Sequence, residues 1–321
     1  MRLRTGGIGR GAVAGALAVV LATAGCSVAR KANDSKPYVP PVVIPTVVAP
    51  PQAEGLDGTA GGPGPQVCTA ITRTLTVKLR VLVTAKPNSW NDGGVPAMDL
   101  CTLLVQDRIV TIGVSALPSQ PDSLGRLMTG AGSVEPLPAL GPEAQIAESR
   151  LVFLTGDRAV RLTPTGGIDR STADGIDRAK AVAIAVATRD AVPKTLRPAR
   201  QADAACQLSN SAAERFVGLQ VQLRRDYRVN GALTCVWGTF DATVSIVEAF
   251  DQPSIPEAER VPPPQLAPIG QPGYYLPEAG ELVFRQGRRV VRVTGLTDPP
   301  REVSLDTLTG IVDPLLPLFL R

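Results

Sequence analysis

Residues 151–163 (LVFLTGDRAVRLT) and residues 282–294 (LVFRQGRRVVRVT) carry nearly the same thirteen letters at a fixed offset of 131. Leu151, Val152, Phe153, Gly156, Arg158, Val160, Arg161 and Thr163 coincide with Leu282, Val283, Phe284, Gly287, Arg289, Val291, Arg292 and Thr294. Both copies read as two short strands joined at a glycine-containing turn, TGDR in one and QGRR in the other, which is a hairpin signature. Upstream, CTLLVQDRIVTIGV from Cys101 sets Asp107, Val110 and Ile112 against Asp241, Val244 and Ile246 of CVWGTFDATVSIVE from Cys235. A second hairpin is therefore duplicated as well.

The register extends outward in both directions. Cys68 corresponds to Cys206, each opening an amphipathic stretch. In the second copy Ser211 and Glu214 have the spacing of a capping box. In the first copy, TLTVKLRVLV alternates enough to be a strand, so the element after Cys68 stays open between helix and strand. Downstream, STADGIDRAKAVAIAVATRDAV reads as a helix with Ser171 or Thr172 as its cap. Its partner SLDTLTGIVD starts at Ser304 and is cut short by Pro314 and Pro317. The proline-rich stretches 115–149 and 251–280 occupy equivalent places. Each copy thus runs cysteine-helix, cysteine-hairpin, proline-rich loop, hairpin, helix. The expected fold is α+β: two tandem repeats, each an antiparallel sheet with helices packed on one face. The first spans 67–190, the second 206–321, and 191–205 links them.

The N-terminus carries a different kind of signal. MRLRTGGIGR is a positively charged start, GAVAGALAVVLATAG an apolar run too short to span a bilayer comfortably, and Cys26 follows at once. Thr23-Ala24-Gly25-Cys26 resembles the lipobox of bacterial lipoproteins, departing from it at Thr23, where that pattern prefers Leu or Val. The resemblance implies that residues 1–25 are a signal peptide and that Cys26 is diacylated. The alternative is a plain secretory signal that leaves Cys26 as an odd thiol. Residues 27–66 contain eight prolines and a glycine-rich end with no helical or alternating period. Such composition makes 26–66 an extended tether. Two acyl chains hold a protein stably at a membrane where one does not, so the expected location is the extracytoplasmic face of the cell membrane.

The second copy also carries DAACQLSNSAAERFVG followed by TCVWG. These residues resemble single-domain actinobacterial cell-envelope lipoproteins of unknown function, which have a Cys-x-Leu-Leu helix start and a later Cys-x-Trp. The likeness covers most of 203–320. The first copy departs from it, with Leu103 where the second has Trp237 and TAIT after Cys68. The resemblance implies an envelope lipoprotein and lends no catalytic residue.

Chemistry is constrained by what the sequence lacks. There is no histidine, which removes Ser-His-Asp and Cys-His arrangements and histidine-based zinc sites. No serine is followed three residues later by lysine, and there is neither a GxGxxG nor a Walker loop. No cofactor or metal is expected. Gly93-Gly94 and Gly166-Gly167 read as loop glycines, and Asp107 and Asp241 as turn formers. Without Arg2, Arg4 and Arg10 the chain has 30 basic and 29 acidic residues, a balance that gives no electrostatic case for nucleic acid.

Of 321 residues only 4% are aromatic. Trp237 is expected to pack in the core against a disulfide. Trp90, in KPNSWNDGG, and Tyr274 and Tyr275, in the second proline-rich loop, are each either tucked down or exposed as partner contacts. The four cysteines after Cys26 allow three pairings. The duplication selects Cys68–Cys101 and Cys206–Cys235, because each copy should close within itself, and export favours disulfides. The function expected is a lipid-anchored binding or scaffolding protein, not an enzyme, whose partner is an envelope protein, a lipid or a glycan. The alternatives are a carboxylate-dependent cell-wall enzyme and a carrier of a lipid or small apolar ligand.

Overall fold

The computed structural model describes residues 66–86, 95–169, 174–192, 203–219, 221–229, 231–250, 255 and 263–319. Residues 1–65, which hold the expected signal peptide, Cys26 and nearly all of the expected tether, lie outside these residues, as do Trp90, Gly93-Gly94, Ser171, Thr172 and most of 191–205. The elements of the first half are α1 (Gln66–Leu79), β1 (Val83–Lys86), β2 (Met98–Val105), β3 (Arg108–Ser115), α2 (Ser123–Met128), β4 (Glu135–Pro136), β5 (Gln145–Ile146), β6 (Leu151–Thr155), β7 (Arg158–Pro164) and α3 (Arg178–Ala191). Those of the second are α4 (Ala204–Gln207), α5 (Asn210–Val217), β8 (Leu223–Val229), β9 (Ala232–Gly238), β10 (Ala242–Phe250), β11 (Gln265–Leu266), β12 (Gly273–Leu276), β13 (Glu281–Gln286), β14 (Arg289–Thr297), α6 (Leu305–Val312) and α7 (Leu316–Phe319). Among the described residues no helix is long and apolar enough to cross a membrane.

The fold is α+β and built twice. The first sheet runs β1-β2-β3-β7-β6-β5-β4, the second β8-β9-β10-β14-β13-β12-β11, and every neighbouring pair is antiparallel. The register is kept residue by residue. Cys101 faces Ile112 as Cys235 faces Ile246, Val114 faces Val160 as Glu248 faces Val291, and Phe153 faces Val160 as Phe284 faces Val291. The repeated glycines have a backbone reason. Gly156 and Gly287 open the two equivalent turns at φ 62° and 60°, in the left-handed region that a side chain disfavours.

Period-two alternation puts one set of strand residues under the helices. Cys101, Leu103, Val110, Ile112, Phe153 and Val160 form a core with Ile71 and Leu75 of α1 and Ile184 and Ala185 of α3. In the second half Cys235, Trp237, Ile246, Phe284 and Val291 pack with Ala213, Leu308 and Ile311. The disulfides Cys68–Cys101 and Cys206–Cys235 each staple the first helical segment to the second strand of their own half, with Cα atoms 5.6 Å apart in both. Trp237 is fully buried in the core that holds Cys206 and Cys235.

Several local expectations are corrected. The segment after Cys68 is helical through Leu79, and only Val83–Lys86 is strand. Its alternation, Leu75-Thr76-Val77-Lys78-Leu79, coexists with Ile71 and Leu75 at i, i+4, which is the spacing that buries a helix face. Helix α3 starts at Arg178 and is capped by Asp177, whose side chain accepts from the Lys180 N–H at 2.7 Å; the expected caps Ser171 and Thr172 lie outside the described residues. Ser211 caps nothing, because α5 begins one residue before it, and Asp203 instead caps α4. Ser304 does cap α6, accepting from Thr307 N–H at 3.3 Å. In the first half α1 and α3 pack on one face of the sheet as expected, and the short α2 adds Leu124, Leu127 and Met128 over Met98, Val152 and Ala159 on the other.

The loops closed by the disulfides span 33 and 29 residues, for which chain entropy gives about 3–4 kcal/mol of stabilisation each. Non-reducing peptide mapping is expected to return two cross-linked peptides, each joining cysteines of one half. A peptide joining Cys68 or Cys101 to Cys206 or Cys235 would contradict the fold.

Candidate functional site

On the other face of the second sheet, residues of the first half pack against β8 and β9. Ala97, Ala116 and Leu117 pack on Leu223 and Val236, with Phe240 alongside, and the Ala97 N–H donates to Thr243 Oγ1 at 2.6 Å. At this junction Asp99 accepts two bonds from Arg225, Nη1 to Oδ1 at 2.5 Å and Nη2 to Oδ2 at 3.0 Å. Arg158 approaches the same carboxylate at 3.8 Å while its Nε and Nη2 donate to the Ser115 carbonyl at 3.1 and 2.9 Å. All three side chains are almost fully buried. Burial pushes the Arg158 guanidinium below its usual range, and the Asp99 charge offsets part of that.

A second contact closes the rim. Arg126 of α2 bonds Asp298 through Nε at 3.1 Å and Nη2 at 2.7 Å, pairs with Asp241 at 2.9 Å, and donates to the Phe240 carbonyl at 3.2 Å. The hydrogen bond to Asp298 leads the causes that hold its guanidinium above the usual range. Between these contacts lies a hollow of about 40 Å³ lined by Met98, Leu117, Leu127, Phe240 and Asp298. It has room for a few waters at most. The junction is therefore built to join two halves rather than to take a ligand.

Equivalent positions of the two halves have diverged in sets. Opposite Trp237 on β8 stands Arg224, whose guanidinium lies 4.6 Å from the indole centroid and binds Asp226 at 2.7 and 2.8 Å. Asn210 accepts from Trp237 Nε1 at 3.0 Å and also pairs with Arg224. Burial raises the Asp226 carboxyl, against the pull of Arg224. In the first half the same two positions are Leu103 and Ala85. Arg289, the counterpart of Arg158, pairs with Glu248 rather than with an Asp99 equivalent; the residue at that place is Leu233, whose N–H donates to Glu248 Oε2 at 2.8 Å. Arg292 pairs with Glu281 at 2.5 Å. Its counterpart Arg161 has Arg150 at the Glu281 place, and burial, with that like charge, pushes Arg161 down to about 10.

Buried carboxylates at 99, 226, 248 and 281 are thus each committed to an arginine. Among the described residues no group of acidic or cysteine side chains could hold a metal ion. Asp107 and Asp241 occupy turns between strands, as expected, and Asp241 also takes part in the Arg126 contact. Tyr275 is corrected as a partner contact: it is 4% exposed and its hydroxyl donates to the Val303 carbonyl at 2.6 Å. Its place in the register is that of Ile146, a core position, so strand pairing turns it inward. Tyr274, on the other face of β12, packs half-buried beside Ile255, Val283 and Val290.

The helical faces differ most. In the first half α1 and α3 lie against each other and are strapped by Lys78 and Asp190, whose carboxyl is held below its usual range by that lysine. In the second half, a groove of about 560 Å³ opens between α5 and α6, lined by Arg215, Phe216, Arg301, Glu302, Val303, Asp306, Gly310 and Ile311 among others. None of these positions was distinguishable in the sequence as a site. Comparison with protein-family models, with curated proteins and with solved structures finds no match to this chain.

Removing one partner of a buried ion pair leaves an uncompensated charge, which costs about 3–5 kcal/mol. Asp99→Asn is expected to lower stability by that amount in urea unfolding. Lys78→Ala, which removes a half-exposed pair, should stay within about 1 kcal/mol. Equal losses in the two variants would contradict the role given to Asp99.

Proposed function

We propose that the chain is a lipid-anchored binding or scaffolding protein of the cell envelope, displayed on the extracytoplasmic face of the membrane and akin to the actinobacterial lipoproteins that its second half resembles. The observation that carries the reading is the N-terminal order of basic start, short apolar run and Cys26, followed by a proline-rich tether. Two disulfides, one in each half, suit an oxidising compartment. The arrangement of charge supports binding over catalysis, since the buried carboxylates serve as arginine partners and the junction between the halves admits little more than water.

Cell fractionation of the native host tests the anchor. The full-length protein is expected in the membrane fraction with lipid on Cys26, and Cys26→Ser should release or mislocalise it. Unlipidated wild-type protein in the culture medium would contradict the proposal.

A further inference from the structure

The groove between α5 and α6 exists because of specific departures from the first half. Counting from the paired cysteines, Lys78 of α1 corresponds to Phe216 of α5. Counting from the caps Asp177 and Ser304, the buried series Ala181, Ile184, Ala185 and Thr188 of α3 corresponds to Leu308, Ile311, Val312 and Leu315. Helix α3 continues to Ala191 and so delivers Asp190 to Lys78, whereas α6 ends at Val312 ahead of Pro314. Both halves of the strap are therefore missing. Phe216 and Ala212 face the space from one side, and Val303 and Ile311 from the other.

Gly310 lines the same space. A glycine inside a helix is less favourable than an alanine, and its counterpart in α3 is Ala183. Among the described residues no neighbour's packing requires the glycine, for a Cβ built at Gly310 meets no atom within 4 Å. The rim carries exposed charges of both signs, Arg215 and Arg301 beside Glu302 and Asp306. Among the described residues none of the four side chains is in an ion pair; the Tyr275 hydroxyl is raised by burial first and by the Glu302 charge second. A volume of about 560 Å³ falls within the roughly 300–1,000 Å³ of small-ligand sites.

We propose that this groove is the binding site of a short zwitterionic peptide, with an apolar side chain against the half-buried Phe216 and Ala212, its carboxylate attracted by the arginines and its ammonium by the acids. The absent side chain at Gly310 leaves room for the ligand's backbone. The inference rests on the reading of the chain as an envelope binding protein and supplies the site and ligand class which that reading lacks.

Equilibrium dialysis of the detergent-solubilised full-length protein against labelled Ala-Phe-Ala tests it. Saturable binding at one site is expected, weakened at least about tenfold when the peptide is N-acetylated, when it is C-amidated, and in the Gly310→Leu protein. That substitution enters open space in a helix and should leave thermal stability unchanged or higher, so loss of binding there is not loss of fold. Absence of saturable binding overturns the proposal, as does equal binding of free and capped peptides or unchanged binding by Gly310→Leu. Lipid on Cys26, read by mass spectrometry of the same preparation, separates the two claims: a lipidated protein indifferent to the peptide sinks the groove alone, and an unlipidated protein that binds it sinks the anchor alone.

Discussion

Asp99 is enclosed by Arg225 from the second sheet and Arg158 from the first, with hardly any side-chain surface left to solvent. Burying a carboxylate without partners is prohibitive, and burying two guanidiniums is no easier. Each group is tolerable only while the others are in place, so the junction forms as a whole or not at all. That requirement fixes the rest. With Arg225 drawn onto Asp99, the face of the second sheet turned away from α5 and α6 is brought at β8 and β9 against Ala97, Ala116 and Leu117, and Leu223 and Val236 leave solvent.

Duplication explains why the two halves look alike, and this junction explains why they cannot be identical. The same strand order and register recur, yet the charges have been redistributed. The acid that answers the arginine after the hairpin turn is Asp99 on β2 in one half and Glu248 on β10 in the other. Moving the acid to Glu248 frees position 233 to be a buried leucine, while Asp99 is left to reach across to Arg225. The Trp237 and Arg224 pair has likewise been exchanged as a set for Leu103 and Ala85. The faces not used at the junction went separate ways, closed by the Lys78–Asp190 strap in the first half and open as a groove in the second.

Much of this architecture is legible in the sequence because it is written twice. Strand pairs, the placing of both disulfides and the short last helix all follow from aligning the copies, and Gly156 and Gly287 mark a backbone conformation rather than a side-chain choice. What the repeat does not carry is harder to read. Asp99 has only Leu233 at its counterpart place, so the repeat does not announce the pair, although Arg225 stands at the place of Lys86 in β1. Tyr275 looks like a loop aromatic until the short strand around it is seen to pair with β13. Asp177 caps α3 because the helix starts at Arg178, later than its composition suggests. The groove depends on the divergence of two helices, a property of packing that spacing along one chain does not encode.

If the buried charges at the junction make one molecule of two repeats, the halves should unfold together. Scanning calorimetry of the full-length, disulfide-intact protein reads this directly, since one cooperative transition has equal calorimetric and van't Hoff enthalpies. The account predicts a single transition with that equality. Two resolved transitions, each with the enthalpy of half the chain, would show that the repeats are autonomous and that Asp99 and Arg225 merely touch.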